Sequence, residues 1–225
     1  MMRERFWQKH WDEGVENLDP ALFETAYTAL IRPVFKKYSD HTAFAYMGRQ
    51  VSYAEFDRES NRFAKMLLAH GLHKGDVVSI NVPNMPEYLF AWLGTLKAGC
   101  TVSGVSLLLS APQIAQQLRD SRARVLVTLD ISFADKIPEI APQLPDLQII
   151  VAARAASLFP GHESKVTPQA GKTVYTFDEI LTEGKFSDQL PDVKITPDDI
   201  AYLQYTGGTT GIPKGAMLSH RNTVA

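Results

Sequence analysis

The sequence predicts an α/β fold, a mostly parallel layered sheet flanked by helices. Between Val77 and Leu118 only Glu87 and Lys97 carry a formal charge. The short β-prone runs in and after this region are apolar on both faces and alternate with segments of helical period, as a sheet covered on both sides requires. The length of 225 residues, 45% apolar and 21% charged, is enough to bury a substantial core.

Taken in order, an aromatic-rich arm (Phe6, Trp7, Trp11) leads into a helix over Pro20–Tyr38, interrupted or restarted near Pro33. Thr42–Met47 and Gln50–Tyr53 form a hairpin across Gly48-Arg49. Ser52-Tyr-Ala-Glu55 has capping-box spacing and opens a helix that carries Phe56, Phe63, Leu67 and Leu68 and ends at Gly71. Val77–Val82 is a strand, and Pro86–Ala98 an apolar helix closed by Gly99. Thr101–Val105 is a second core strand, followed by a helix starting at Ser110-Ala-Pro-Gln113. Arg124–Leu129 is a strand, Phe133–Ala141 a helix and Leu147–Val151 a strand. Ala152–Lys172 lacks a period and reads as a surface excursion within the domain. Thr173–Thr176 is a short strand and Thr176-Phe-Asp-Glu179 another capping box. Thr196-Pro-Asp-Asp199 suggests one helical turn before the strand Ile200–Tyr205, and Ala216–Leu218 is extended.

The formal charge of -2 argues against a nucleic-acid binder. The single cysteine, Cys100, excludes an intrachain disulfide framework and a multi-cysteine zinc site, and its apolar setting makes it a small buried hydrophobe. The polar N-terminus lacks the apolar core of a signal peptide, and no apolar run reaches transmembrane length. A cytoplasmic location is expected, with weak peripheral contact at the inner membrane through the aromatic arm as a secondary reading. Packing of that arm onto the domain is the favoured one.

The chemistry lies in Tyr205-Thr-Gly-Gly-Thr-Thr-Gly-Ile-Pro-Lys214-Gly215. Gly207, Gly208 and Gly211 can let main-chain N–H groups converge on an anion. Thr206, Thr209 and Thr210 add hydroxyl donors, and Lys214 adds a mobile positive charge. The common ATPase loop needs Lys-Ser or Lys-Thr after its last glycine; here the lysine follows Pro213 and precedes Gly215. The dinucleotide pattern Gly-x-Gly-x-x-Gly is absent too. A plain glycine-rich turn is the competing reading. The loop leaves the end of a strand, where open α/β sheets place ligands.

With the lysine included, this stretch closely resembles the signature loop of the ANL superfamily of adenylate-forming enzymes. Its Gly208, where the family usually has Ser, is most like the long-chain fatty-acyl-CoA synthetases. Ala216-Met-Leu-Ser-His-Arg-Asn222 is similar to the same group. The resemblance continues upstream in Val51-Ser-Tyr-Ala-Glu-Phe56, Gly71-Leu-His-Lys-Gly-Asp-Val-Val78, Asn81-Val-Pro-Asn84 and Leu96-Lys-Ala-Gly99. One departure is Gly104-Val-Ser-Leu107, where the family commonly has Pro-x-Asn-Pro.

The resemblance implies that residues 1–225 are the N-terminal portion of the large ANL domain, with the small C-terminal domain absent. It implies ATP-dependent activation of a carboxylic acid, most readily a fatty acid, through an acyl-adenylate, then transfer to coenzyme A. Loading of a carrier protein, an aryl or short-chain acid ligase, and a non-catalytic nucleotide-binding module stand as alternatives. Thr206, Gly207, Gly208, Thr209, Thr210, Gly211 and Lys214 would bind the ATP phosphates, with Lys214, Thr206 and Thr209 assisting catalysis. Magnesium is implied with the triphosphate, but no protein ligand for it is evident. The 225-residue chain alone is expected to be inactive; a homodimer is left open.

Among other candidates, His220 could be a general base, but without an acid partner in sight a structural or capping role is favoured. His10, His41, His70, His73 and His162 read as surface residues. Asp198-Asp199 suits a helix's first turn better than a metal pair.

Overall fold

The protein is described by a computed structural model covering residues 9–12, 20–155, 161–206 and 213–224. After a 3-10 turn at Pro20–Glu24 come helix α1 (Tyr27–Lys37) and an antiparallel hairpin of β1 (Thr42–Tyr46) and β2 (Arg49–Ser52). Then follow α2 (Tyr53–Ala69), β3 (Val77–Asn81), α3 (Pro86–Lys97), β4 (Thr101–Gly104) and α4 (Ala111–Asp120). The next elements are β5 (Val125–Leu129), α5 (Asp130–Ile140), β6 (Ile149–Ala153), β7 (Thr173–Thr176) and α6 (Phe177–Leu181). The chain continues with β8 (Ile200–Thr206), β9 (Lys214–Ser219) and α7 (His220–Val224).

Seven strands form one sheet in the order β7-β6-β5-β3-β4-β8-β9. Every neighbouring pair is parallel except the last, β8 with β9. The expected layered, mostly parallel sheet is therefore present. Strands β3, β5 and β6 are buried along their whole length. Their side chains alternate between two cores, as the two-residue period of a strand requires. Val125, Val127, Val151 and Val78 face α2, α3 and α6, while Leu126, Ile150 and Val77 face α4 and α5.

The α2–α3 contact is a close seam. A Cβ built on Gly94 would lie 2.6 Å from the Ser60 carbonyl oxygen and 2.9 Å from Phe63 Cβ. The seam is also polar. Lys97 Nζ, almost wholly buried, donates to Asp57 Oδ1 at 2.6 Å, Asn61 Oδ1 at 2.7 Å and Ser60 Oγ at 2.8 Å. Burial lowers the Lys97 pKa, and the Asp57 carboxylate opposes that shift.

Several local expectations need correction. The N-terminal helix is broken at Thr25-Ala26, whereas Pro33 lies inside α1 without ending it. The hairpin turns at Met47-Gly48, whose φ angles are 47° and 84°, and Arg49 already pairs with Tyr46. Positive φ at both central residues suits the right-handed twist of the flanking strands. Only half of the box at Ser52 forms: its side chain accepts from Glu55 N, while the Glu55 carboxylate accepts from Arg49. The boxes at Ser110 and Thr176 close through Gln113 and Glu179. Thr196–Asp199 is a turn, held by Thr196 N donating to Asp199 Oδ2 at 2.6 Å. The excursion begins later than expected, since Ala152 and Ala153 complete β6; residues 161–172 contain no helix or strand. Trp11 is exposed, and Phe6 and Trp7 lie outside the described residues.

Gly94→Ala should destabilise the protein by about 2–3 kcal/mol, because a backbone carbonyl cannot swing aside as a side chain can. Urea unfolding checks this through a lower midpoint at unchanged slope; an unchanged midpoint would show that the helices separate without cost.

Candidate active site

The glycine-rich motif begins where β8 ends. Parallel pairing with β4 (Val102↔Tyr202, Ser103↔Leu203) directs β8 to the carboxyl edge of the sheet, and antiparallel pairing brings β9 back beside it. That pairing sets Thr206 opposite Lys214 and Tyr205 opposite Gly215. Two of the predicted phosphate-binding residues, Thr206 and Lys214, are thus held side by side on an exposed edge. Gly207, Gly208, Thr209, Thr210 and Gly211 lie outside the described residues.

Side chains from distant elements brace this edge. Asn81, at the end of β3, donates to the carbonyls of Val105 and Ser106 at 3.1 Å each and accepts from Thr128 Oγ1. Gln117 of α4 donates to the Gly104 carbonyl at 2.8 Å. On β8 the Trp92 indole N–H donates to the Tyr202 hydroxyl, and Trp92 meets Tyr27 edge-on. Tyr205 donates its phenolic hydrogen to Asp120 Oδ2 at 2.5 Å. Burial, reinforced by Asp120, raises the Tyr205 pKa and keeps it a donor. Beside this bond lies a cleft of about 90 Å³ lined by Leu109, Gln113, Asp120, Tyr205 and Pro213.

The remaining candidates fall elsewhere. His220 is buried at the start of α7, its backbone N–H donating to the Asp199 carbonyl at 2.9 Å. This favours the structural reading. Asp199 binds Lys74 at 2.6 Å and Asp198 binds Arg221 at 3.0 Å, so each carboxylate is committed to its own cation. Two histidines are less exposed than expected. His70 bonds the Tyr175 hydroxyl at 3.0 Å, and His162 stands 3.3 Å from the buried Asp130. Cys100 is wholly buried as predicted, and burial pushes its thiol pKa up to about 12. Among the described residues no group of three His, Cys, Asp or Glu side chains could hold a metal ion. The described residues therefore offer no all-protein metal cage. No described helix is long and apolar enough to cross a membrane.

Sequence reasoning missed Asp120, Gln117 and Asn81 as supports of the motif. Nothing local marks them: Tyr205 and Asp120 are 85 positions apart.

A family model for AMP-binding enzymes matches residues 31–225, and the chain belongs to that family. It is 33% identical over 84% of its length to a long-chain-fatty-acid–CoA ligase of Bacillus subtilis, covering 35% of that protein. It is 30% identical over 98% of its length to the Haemophilus influenzae ligase of the same description, covering 41% of it. A 3-hydroxybenzoate–CoA/4-hydroxybenzoate–CoA ligase of Thauera aromatica is 30% identical over 93% of this chain, with 37% of that protein covered. Among solved structures, the anthranilate CoA ligase AuaEII in complex with anthranoyl-AMP superimposes with a TM-score of 0.75 at 25% identity. That match covers 88% of this chain and 35% of the other. The chain spans between 35% and 41% of the length of these curated relatives.

Burial pushes the His220 imidazole below its ordinary pKa of 6.5; Lys74 adds to the shift and Asp199 opposes it. Unfolded, the ring takes up a proton near pH 6.5, while the folded protein resists it. This contribution to stability is intact above about pH 7 and falls as the pH drops toward the depressed folded-state value. His220→Gln should flatten the pH dependence of the unfolding free energy in the window that opens below about pH 7. Urea titrations across that window test it; an unchanged slope would assign the dependence to another group.

Proposed function

We propose that this chain supplies the phosphate-binding edge of an enzyme that activates a carboxylic acid with ATP. The carboxylate attacks the α-phosphate, the bond to the β-phosphate breaks, and an acyl-adenylate and pyrophosphate result. The thiol of coenzyme A then displaces AMP. The observation that carries this reading is the placement of Thr206 opposite Lys214 at the carboxyl edge of β8, bracketing the glycine-rich motif. In the proposed role Lys214 and the threonine hydroxyls offset the charge that gathers on the departing pyrophosphate. Such donors accelerate the reaction to the extent that they bind the transition state more tightly than the substrate. Gly207, Gly208 and Gly211 supply close-approaching N–H groups. Magnesium, when bound with the triphosphate, would screen its charge.

A fatty acid is the proposed substrate, supported by the relatives in Bacillus and Haemophilus and by Gly208. The hydroxybenzoate and anthranilate ligases support an aryl acid as a second reading. In a polypeptide extended to the relatives' length, faster pyrophosphate release with fatty acids than with hydroxybenzoates decides for the first; the reverse decides for the second.

For the 225-residue chain, calorimetry should show ATP binding that Lys214→Ala weakens about tenfold, a loss of about 1.4 kcal/mol. Pyrophosphate release from ATP and a fatty acid should stay at background. Equal affinities for the two proteins would remove Lys214 from the site, and sustained turnover would show that this chain suffices for catalysis.

A further inference from the structure

The phosphate-binding role proposed for Thr206 and Lys214 raises the question of what fixes their position. Pairing between β8 and β4 stops at Ser103↔Leu203, so Gln204, Tyr205 and Thr206 extend beyond the last strand contact on that side. On the other side they pair only with β9, the outermost strand of the sheet. A two-stranded ribbon projecting from a sheet is a poor platform for charge stabilisation, because donors that move must be reorganised at each turnover.

The Tyr205 hydroxyl ties the projecting end to the helical layer: it donates to Asp120 Oδ2 at 2.5 Å and also meets the Ser121 side chain. Asp120 is the last residue of α4, and α4 is itself anchored to β4 through Gln117. The Tyr205 ring also braces the returning strand. Gly215 lies against it so closely that a Cβ there would meet Cζ at 3.1 Å and Cε2 at 3.2 Å. Tyr205 directly precedes Thr206, and Gly215 directly follows Lys214. A single side chain therefore touches both arms of the ribbon next to the groups that would meet phosphate. An ionised acceptor makes this bond stronger than a neutral pair would. Asp120 has no cation partner among the described residues, so its bond to the phenol is what fixes the carboxylate.

We propose that Tyr205 and Asp120 are positioning residues for the phosphate site, holding Thr206 and Lys214 in register with the body of the domain. Neither touches the reacting atoms. The inference rests on the phosphate-binding reading of the motif.

The test uses the 225-residue chain, with inorganic tripolyphosphate as the probe in calorimetry and amide hydrogen exchange as the second measurement. Tyr205→Phe keeps the ring against Gly215 and removes only the hydroxyl. It should bind tripolyphosphate about five- to tenfold more weakly, the equivalent of one net hydrogen bond. Exchange should quicken in residues 204–206 and 213–216 while β3 and β5 stay protected. Asp120→Ala should match it, and Asp120→Asn, which keeps an acceptor oxygen, should recover most of the affinity. The double variant Tyr205→Phe/Asp120→Ala should bind no worse than either single one, since both remove the same bond.

Wild-type affinity in Tyr205→Phe, alongside a weakened Lys214→Ala, would overturn the positioning role and leave the phosphate site standing. Loss of affinity accompanied by faster exchange throughout the sheet would also overturn it, in favour of a purely structural bond. Equal affinities for wild type and Lys214→Ala would overturn both readings, because no phosphate site would remain to be positioned.

Discussion

The rest of the structure depends on how closely α2 and α3 approach. Gly94 removes the side chain that would strike the Ser60 carbonyl, and Lys97, one turn later, binds Asp57, Ser60 and Asn61 across the gap. The first contact sets the spacing of the helices and the second their register. Together they fix the layer against which Val78, Val102, Val125 and Val151 pack. Burying an ammonium group is costly, and three close oxygen acceptors offset that cost. The arrangement favours one alignment of the two helices over others of similar apolar burial.

From that layer the sheet carries order outward to the candidate site. The central strands are buried on both faces and fully paired, so they offer no freedom to a ligand. Exposure rises along the order β3, β4, β8, β9, and the parallel pairing shortens from four residue pairs between β3 and β4 to two between β4 and β8. The glycine-rich motif starts from the exposed end of β8. Asn81, Gln117 and Asp120 each extend the support of the interior to this edge by one hydrogen-bonding step. Donors on such an edge are accessible to a polyphosphate and yet tied to a rigid body. Electrostatic stabilisation of a leaving group needs both.

Much of this was legible in the sequence. Alternation of apolar runs with helical segments gave the strands and most helices, because burial on both faces leaves no polar residue to mark a solvent side. The capping boxes at Ser110 and Thr176 were readable because the whole interaction lies within four residues. The box at Ser52 was half misread for the same kind of reason: Arg49 sits in a neighbouring strand and competes for Glu55. Pro33 was misread as a break because proline costs a helix its own hydrogen bond, yet α1 continues through it. His162 looked like a loop residue, but the fold sets it beside the buried Asp130.

By itself the sequence determined the fold class, the family and the position of the glycine-rich motif at a strand end. The fold class follows from periodicity and turn residues, and the family from the resemblance of Tyr205–Gly215 and the upstream blocks to a known signature. Only the tertiary structure decided that Tyr205 reaches Asp120, that Thr206 lies opposite Lys214, and that β9 returns antiparallel at the sheet's edge. These contacts join segments separated by strands and helices. Their formation depends on the order in which strands enter the sheet, which no short stretch of sequence encodes.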